Sequence, residues 1–256
     1  MFEVLFIFIL GLIIGSFLNC AAYRMHKGES FVLGRSYCPN CKHELQSKDL
    51  IPLLSFLFLK GKCRYCKKSI SIQYPLVEIL TAIFFSFIFI QIGLTWQLLF
   101  WLILASLIIV IFIYDIKYYI VPDGAIFSAI ILTFLMLLIS YFLGSFSLES
   151  LSTSLASALG LSLFFFAIWF FSKGMAMGFG DVKLAFFIGL ILGWPNVIVG
   201  TFLGFLFGAI IGIVMILIKG KNLKSELPFA PFLILGMLTT FFWGNIIINW
   251  YISLLK

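Results

Sequence analysis

The chain has 256 residues, of which 63% are hydrophobic and only 11% charged, and its mean hydropathy is +1.19. Soluble domains are about half apolar and about a quarter charged, so this composition excludes a soluble globular protein and predicts that the bilayer is its solvent. The net charge is +7, and the basic residues lie between apolar runs. This distribution indicates that they interact with anionic lipid and set the membrane topology, and it disfavours nucleic-acid binding.

The apolar residues form eight runs, most of which reach the ~20 residues needed to cross a ~30 Å hydrocarbon core. The runs cover approximately residues 2–22, 76–93, 96–114, 124–143, 151–172, 182–194, 196–218 and 229–252. The sequence therefore predicts an all-α integral membrane protein with about eight transmembrane helices and no internal repeat. The short sixth run joins the seventh through Gly193-Trp194-Pro195-Asn196, which we interpret as a tight turn; one long tilted helix is the alternative.

The first run is predicted to be a retained transmembrane helix. It carries Glu3 where a signal peptide has a basic region, and no small-x-small cleavage site follows it. Cys20 belongs to this helix, where its expected role is that of a small buried hydrophobe.

Basic residues predict the orientation of these spans. Ten of the seventeen Lys and Arg lie in the one long polar stretch, residues 23–74. With eight spans and this stretch inside, six more basic residues fall inside and Lys256 alone falls outside. The six are Lys117, Lys173, Lys183, Lys219, Lys221 and Lys224. The positive-inside rule therefore predicts an outside N-terminus and a cytoplasmic loop at residues 23–75.

Four cysteines in this loop form two knuckles, Cys38-Pro39-Asn40-Cys41 and Cys63-Arg64-Tyr65-Cys66, with 21 residues between them. Two such knuckles make a tetrahedral structural Zn²⁺ site, although the separation is just beyond the usual range. Cytoplasmic thiols stay reduced, which disfavours disulfides. We therefore predict a zinc-ribbon-like cytoplasmic loop between the first two spans. A redox role for either knuckle and nucleic-acid binding are the less favoured alternatives.

Acidic residues at membrane depth are costly and mark functional sites. Six of the ten acidic residues fall in loops and are predicted to be surface residues: Glu3, Glu29, Glu44, Asp49, Glu149 and Glu226. The other four lie at the ends of apolar runs: Glu78, Asp115, Asp123 and Asp181. Asp115 ends the third span and Asp181 opens the sixth, so the topology puts both carboxylates at the same depth and on the same face.

Two carboxylates that share a site cannot both ionise easily, so one holds a proton while the other activates water. The glycines of Gly178-Phe179-Gly180-Asp181 allow an irregular helix entry where a substrate backbone can approach. In the alternative interpretation Asp181 is the N-cap of its helix, as Asp123 is predicted to be for the fourth span.

Several motifs follow one another in an order and spacing typical of one protein family. They are Gly15-Ser16-Phe17-Leu18-Asn19, Tyr23-Arg24, both CxxC knuckles, Ile51-Pro52-Leu53-Leu54-Ser55, Gly61-Lys62, Tyr74-Pro75-Leu76-Val77-Glu78, the segment from Asp115 to Pro122-Asp123, Met177-Gly178-Phe179-Gly180-Asp181-Val182-Lys183 and Pro228-Phe229-Ala230-Pro231-Phe232. Over nearly its whole length the chain thus resembles the type IV prepilin peptidases, the leader peptidase and N-methyltransferase family that processes type IV pilin-like precursors.

The resemblance implies a membrane aspartic protease of the GxGD type in the bacterial cytoplasmic membrane, with Asp115 and Asp181 as the catalytic pair. It implies a first transmembrane helix at residues 1–22, a cytoplasmic four-cysteine module with the methyltransferase part at 23–75, and a seven-helix peptidase domain at 76–256. Asp123 matches a recurrent family aspartate to which we assign no catalytic role.

The resemblance also implies S-adenosyl-L-methionine as methyl donor, and we expect its site near Gly61, Lys62 and Glu78. In an alternative interpretation Glu78 pairs with a nearby lysine. Zn²⁺ is expected at Cys38, Cys41, Cys63 and Cys66. Prepilin or pseudopilin precursors and membrane lipid are the expected partners, without nucleic acid. Pilus, secretion and DNA-uptake systems all remain open as the source of the precursor.

Two functions of other classes remain as alternatives. A transporter or channel would use the aspartates as ion sites, but it predicts acids at mid-membrane depth and matching half-repeats. A structural component of a pilus or secretion machine would need only the zinc-clamped loop. The acids group at one face and no half-repeat is visible, which disfavours the transporter. The resemblance implies an endopeptidase that removes a short basic leader on the cytoplasmic side.

Overall fold

The structure is a computed structural model and describes residues 2–31, 33–219 and 227–254. Predictions that concern Lys221, Lys224, Glu226 and Lys256 lie outside these residues. Within them, the chain forms nine α-helices, one 3-10 turn and two isolated antiparallel bridges. The helices are α1 (Phe2–His26), α2 (Leu54–Phe58), α3 (Gln73–Ile92), α4 (Trp96–Tyr118), α5 (Asp123–Phe142), α6 (Leu148–Phe171), α7 (Phe179–Leu192), α8 (Asn196–Lys219) and α9 (Ala230–Leu254).

Seven of these helices are long and apolar enough to cross a membrane: α1, α3, α4, α5, α6, α8 and α9. Helix α7 has only 14 residues, which rise ~21 Å against a hydrocarbon core of ~30 Å. The predicted all-α membrane fold is therefore confirmed, with seven candidate spans in the described residues and α7 as a shorter apolar helix at the position of the predicted sixth span.

A tight turn separates α7 from α8. Helix α7 ends at Leu192, Gly193 adopts a left-handed φ of 62°, and α8 begins at Asn196 after a cis Trp194–Pro195 peptide. A glycine in this conformation is a common helix terminator, because it has no Cβ to clash. The predicted turn is confirmed, and the alternative of one long tilted helix is wrong.

The chain divides into two compact units, Met1–Ile113 and Tyr114–Lys256. In the first unit, α1 and α3 pack closely because glycines of α1 face α3. A Cβ added at Gly11 would lie 2.5 Å from the Cα of Ala82, and one at Gly15 would lie 2.8 Å from the Cα of Glu78. Small residues allow this approach between membrane helices, whose association depends on van der Waals packing.

Helix α7 is the buried centre of the second unit. It packs against α5, α6, α8 and α9, and eight of its fourteen residues are buried. A Cβ added at Gly189 would lie 2.5 Å from the Cα of Ala158, so α6 approaches α7 backbone to backbone. Because other helices surround α7, the unpaired backbone N–H and C=O groups at the ends of this short helix contact protein and not lipid. Its first turn carries Asp181.

Candidate active site and metal centre

Asp181 lies in the first turn of α7. Gly178 is the N-cap residue, with extended backbone angles, and Asp181 is the third residue after it. The Asp181 carboxyl group accepts a hydrogen bond from the backbone N–H of Gly178, as acidic residues at this helix position commonly do. The side chain is only 8% exposed. The interpretation of Asp181 as the N-cap itself is therefore wrong, because Gly178 holds that position.

The two glycines before Asp181 have different surroundings. A Cβ added at Gly180 would lie 2.8 Å from the Cβ of Val121, the residue two positions before α5. Gly180 therefore lets the first turn of α7 press against this segment. A Cβ added at Gly178 would meet nothing nearer than 3.9 Å, and one of the two atoms at that distance is Oδ2 of Asp181. Space beside Asp181 is thus available at Gly178 and not at Gly180.

Asp115 lies in the last turn of α4 and is 5% exposed. Its carboxyl group accepts a hydrogen bond from the backbone N–H of Ala230, the first residue of α9. Helix N-termini favour negative charge, because their N–H groups lack intrahelical acceptors. Among the described residues, Oδ2 of Asp115 is a buried oxygen that accepts no hydrogen bond. This oxygen is available to a ligand or a water molecule.

Ala230 is part of a motif that the sequence shares with the family, but its backbone contact with Asp115 was not predicted. Its contribution comes from the backbone, so its side chain carries no chemical signal. Pro231 gives a further hint, because proline is tolerated in the first turn of a helix and predicts a helix start there. A helix start after a loop offers free N–H groups to a nearby anion.

Asp115 and Asp181 belong to one electrostatic site, because the charge of Asp115 acts directly on Asp181. Neither carboxylate forms an ion pair within the described ranges. Each is instead held by one backbone N–H group, that of Ala230 or of Gly178. Two buried acids without a basic partner form an arrangement suited to sharing protons, which a salt-bridged pair is not.

Asp123 has a different environment. Pro122 is the N-cap of α5 and Asp123 follows it, so the predicted capping role of Asp123 is wrong. Its Oδ1 lies 2.6 Å from Nζ of Lys183, and its side chain is 66% exposed. The Lys183 ammonium also lies 5.3 Å from the ring centres of Phe127 and Phe179. Asp123 and Lys183 therefore link the N-terminal parts of α5 and α7.

The four cysteines of the two knuckles come together as predicted. Their Sγ atoms all lie within 4.8 Å of one another, and Sγ of Cys38 is 4.0 Å from Sγ of Cys66. Tetrahedral Zn²⁺ with bonds of ~2.3 Å requires sulfur atoms ~3.8 Å apart, so this donor set fits zinc. All five cysteines, Cys20 included, are free thiols.

The two cysteines of the first knuckle differ in how readily they form a thiolate. Burial opposes ionisation of Cys38, but the N–H groups of Cys41 and Asn40 stabilise its thiolate and lower the pKa of Cys38 to about 7. The N–H of His43 stabilises the Cys41 thiolate, but burial and the neighbouring Cys38 and Cys66 thiols outweigh it and raise the pKa of Cys41 to about 11. The thiolate is the form of cysteine that binds a metal.

The two knuckles repeat one local structure at an interval of 25 residues. In the first, Cys38 N–H donates to His43 and Lys42 N–H donates to Cys38. In the second, Cys63 N–H donates to Lys68 and Lys67 N–H donates to Cys63. Lys42 and Lys67 both adopt left-handed backbone, with φ of 60° and 59°. The expectation of no internal repeat is therefore wrong at this scale; the signal in the sequence is Cys-x-x-Cys-Lys, present twice.

Glu78 joins the loop to the membrane helices of the first unit. Its side chain is 6% exposed, its Oε2 accepts the N–H of Leu53 at 2.8 Å, and the Ser16 side chain is a second donor. Its partners in the described residues are thus not lysines, as the alternative interpretation expected. Leu53 has a φ of 59°, which is unfavourable for a bulky side chain.

Gly61 and Lys62 lead into the second knuckle. The Gly61 carbonyl accepts the N–H of Ile70, and Lys62 pairs with Ser69 in an antiparallel bridge. Gly61 has a φ of +68°, and a Cβ there would lie 3.2 Å from the ring of Phe56. Both residues therefore have a structural role next to Cys63.

Comparisons with known proteins match both units. The model of the bacterial peptidase A24 N-terminal domain matches residues 9–92, which hold the cysteines and Glu78. The model of the type IV leader peptidase family matches residues 101–213, which hold Asp115 and Asp181. No solved structure matches the chain with significance.

Three relatives are each described as a prepilin leader peptidase/N-methyltransferase. The one from Bacillus subtilis is 35% identical over 254 residues, 99% of both chains. The one from Legionella pneumophila is 35% identical over 86% of this chain and 76% of its own. The one from Pseudomonas aeruginosa is 31% identical over 96% of this chain and 92% of its own.

Proposed function

Because the chain belongs to the type IV leader peptidase family, we propose that it is a membrane aspartic endopeptidase that removes the short basic leader of type IV prepilin-like precursors. The single observation that carries this proposal is the pair of buried carboxyl groups, Asp115 and Asp181, in one electrostatic site without a basic partner. The support from relatives extends over the whole chain, since the Bacillus subtilis protein aligns over 99% of it.

The length of α7 supports a site that lies inside the cytoplasmic boundary of the hydrocarbon core. If the turn at Gly193 lies at the outer boundary of the hydrocarbon core, a helix of ~21 Å leaves its first turn ~9 Å inside the opposite boundary. Asp181 sits in that first turn. A substrate whose apolar helix is in the membrane then presents its leader junction at the depth of the aspartates.

The proposed chemistry is acid–base hydrolysis of one peptide bond. A water molecule between the carboxyl groups loses a proton to the ionised carboxylate while its oxygen bonds to the scissile carbonyl carbon. The protonated carboxyl group gives its proton to the departing amine as the carbon–nitrogen bond breaks. The N–H groups of Ala230 and Gly178 hold the two carboxyl groups in place throughout. Gly178 has the open space in which a narrow, glycine-containing substrate segment can lie beside Asp181.

We propose that the leader is cut on the cytoplasmic side. Sixteen of the seventeen basic residues fall inside in the eight-span topology, which is a strong positive-inside pattern. The leader of the precursor is itself basic and therefore stays on the same side.

The second proposed activity is methylation of the newly exposed N-terminal amine. Its support is the description of the full-length relatives as N-methyltransferases. When bound, S-adenosylmethionine supplies an electrophilic methyl group. Gly61, Lys62 and Glu78 remain the proposed residues of its site. Lys62 offers an exposed ammonium and Glu78 a carboxylate, two groups that complement an amino-acid ligand. The Glu78 carboxylate is 6% exposed and would share its oxygens with Leu53 and Ser16.

Cys38, Cys41, Cys63 and Cys66 are proposed to hold a structural Zn²⁺ ion. The ion would join the two knuckles and so stabilise a loop that has little apolar core of its own. It would have no part in peptide hydrolysis, because four thiolates would leave no position for water or substrate.

The experiment that tests the peptidase is incubation of membranes containing the full chain with a prepilin that carries a basic leader. We expect cleavage at one bond, and an N-terminal mass increased by one methyl group when S-adenosylmethionine is present. A transporter or a structural component would leave the precursor intact. Cleavage without the added methyl group would retain the peptidase and remove the methyltransferase.

A further inference from the structure

The cytoplasmic loop carries an exposed apolar surface at residues 50–58, which we name the interfacial segment. Leu54, Leu57 and Phe58 are exposed, and Phe58 at 82% is among the most exposed large apolar side chains described. Their spacing of three and four residues puts them on one face of α2. Phe56 points elsewhere, onto Gly61. The polar loop thus presents an apolar face to its surroundings, a feature that marks an interaction surface.

This surface is tied to the membrane helices. The N–H of Leu53, just before α2, donates to Glu78, which is the sixth residue of α3 and lies ~7.5 Å along that helix from its start. At the same level α1 is in backbone contact with α3, at Gly15. Both helices are candidate spans. The beginning of α2 is therefore held alongside spanning helices, where the edge of a bilayer lies.

Positive charge follows the apolar face. Lys60, Lys62, Lys67 and Lys68 are all exposed, and none forms an ion pair within the described part of the chain. Arg64, by contrast, is paired with Asp49. An apolar face with unpaired lysines beside it is complementary to the boundary between acyl chains and anionic headgroups.

We propose that the interfacial segment inserts into the cytoplasmic leaflet and that the neighbouring lysines bind anionic phospholipid, so that the zinc module is held flat against the membrane. The proposal rests on the proposed topology and not on peptide hydrolysis. The apolar helix of a precursor is the other possible occupant of this face, and the experiment separates the two.

The test is photocrosslinking of the full chain in nanodiscs of phosphatidylglycerol and phosphatidylcholine. Phe58 is replaced by the photoreactive residue p-benzoylphenylalanine, and Lys48, an exposed residue of the 3-10 turn in the same loop, is replaced in a matched control. We expect a phospholipid adduct from position 58, identified by mass, and none from position 48. Absence of a lipid adduct at position 58, or adducts there only with an added prepilin, would overturn the proposal.

The dependence of crosslinking on anionic lipid tests whether the lysines bind phospholipid. We expect the adduct yield at position 58 to rise several-fold when phosphatidylglycerol replaces part of the phosphatidylcholine, and this dependence to weaken in the variant K60Q/K67Q/K68Q. Zinc content verifies that the module of this variant is folded. A yield independent of lipid charge in the original chain would contradict lipid binding by the lysines. Neither readout requires cleavage, so failure here is distinct from failure of the proposed peptidase.

Discussion

The backbone N–H of Ala230, the first residue of α9, donates a hydrogen bond to the carboxyl group of Asp115 at the end of α4. Asp181 is held in a similar way by the N–H of Gly178 at the start of its own helix. Both carboxylates are therefore fixed by helix N-termini and not by basic side chains. Peptide donors hold an acid in position and leave its proton free to exchange, which is the condition that acid–base hydrolysis needs.

We expect Asp115→Asn and Asp181→Asn each to reduce cleavage by on the order of 10²–10⁴-fold, the usual contribution of one general acid or base. The amide keeps the shape of the side chain but can neither take up nor give a proton at this step. The measurement is the initial rate of prepilin cleavage in membranes.

Methyl transfer to a peptide that already lacks its leader is the control for folding, and we expect both variants to retain it. Glu149→Gln is the matched carboxylate control, because Glu149 is exposed and lies in the first turn of α6. A wild-type cleavage rate in either aspartate variant would show that the proposed mechanism is wrong.

The glycines of the Gly178-Phe179-Gly180-Asp181 motif are expected to respond differently to alanine. Gly180→Ala would put a Cβ 2.8 Å from that of Val121, so α7 has to shift and carries Asp181 with it. Such overpacking costs about 1–3 kcal/mol. We expect a strong loss of cleavage in Gly180→Ala, and a smaller loss in Gly178→Ala because the added Cβ there meets no atom nearer than 3.9 Å.

Cleavage rate and thermal stability of both alanine variants should be measured together. Val121→Gly should restore part of the cleavage to Gly180→Ala, because it removes the clashing side chain. Equal losses in the two single variants would mean that close packing at Gly180 does not control the site.

The catalytic candidates were accessible from the sequence because charged residues at the ends of apolar runs are conspicuous. The topology then put Asp115 and Asp181 on one face without any structure. Contacts made by backbone groups were not accessible, since the N–H of Ala230 carries no side-chain signal and lies 115 positions away. The sequence showed that the sixth apolar run is short. It could not show that α7 is buried, because the helices that pack against it include some that are distant in sequence.

The ion pair of Asp123 and Lys183 shows a similar limit. Helix-start preferences predicted a cap at Asp123, yet the lysine 60 positions later provides its partner. A long-range attraction between side chains overrode a local preference, which sequence periodicity cannot reveal.

We expect Asp123→Asn to retain cleavage within about fivefold of the original rate. The Asp123 side chain is 66% exposed, although that of Lys183 is only 19% exposed. Ion pairs that are open to solvent contribute about 0–1 kcal/mol to stability. The neutral side chain still accepts a hydrogen bond from Lys183. The comparison with Asp181→Asn in the same cleavage assay distinguishes an aspartate that positions α7 from one that reacts; a loss equal to that of Asp181→Asn would make Asp123 part of the reacting site.

Replacement of a cysteine tests the proposed zinc site. We expect Cys63→Ser to lower the bound zinc from about one ion per chain to well below that, because three thiolates and a hydroxyl bind the ion far less tightly than four thiolates. The module should then become sensitive to protease, since metal binding supplies its folding energy. Metal analysis and limited proteolysis are the measurements.

Cys20→Ser is the matched control for this experiment. Cys20 lies in α1, outside the four-cysteine cluster, so we expect unchanged zinc content and unchanged proteolysis. Full zinc binding by Cys63→Ser would contradict a four-cysteine site.

Glu78 offers a way to separate structural support from binding of the methyl donor. Glu78→Ala leaves the N–H of Leu53 without its acceptor at 2.8 Å and a bulky residue in an unfavourable backbone conformation. Loss of a buried hydrogen bond to a charged group costs about 1.5–3 kcal/mol. We therefore expect faster amide hydrogen exchange at Leu53 and through α2 in this variant.

Glu78→Gln keeps an oxygen acceptor for Leu53 but removes the charge. If the carboxylate also binds the methyl donor, this variant will retain slow hydrogen exchange in α2, retain leader cleavage and lose methyl transfer. Retained methyl transfer in Glu78→Gln would assign Glu78 a purely structural role and would move the donor site elsewhere in the module. The two substitutions thus distinguish a carboxylate that holds the loop to α3 from one that also recognises a ligand, because only the second role depends on the negative charge.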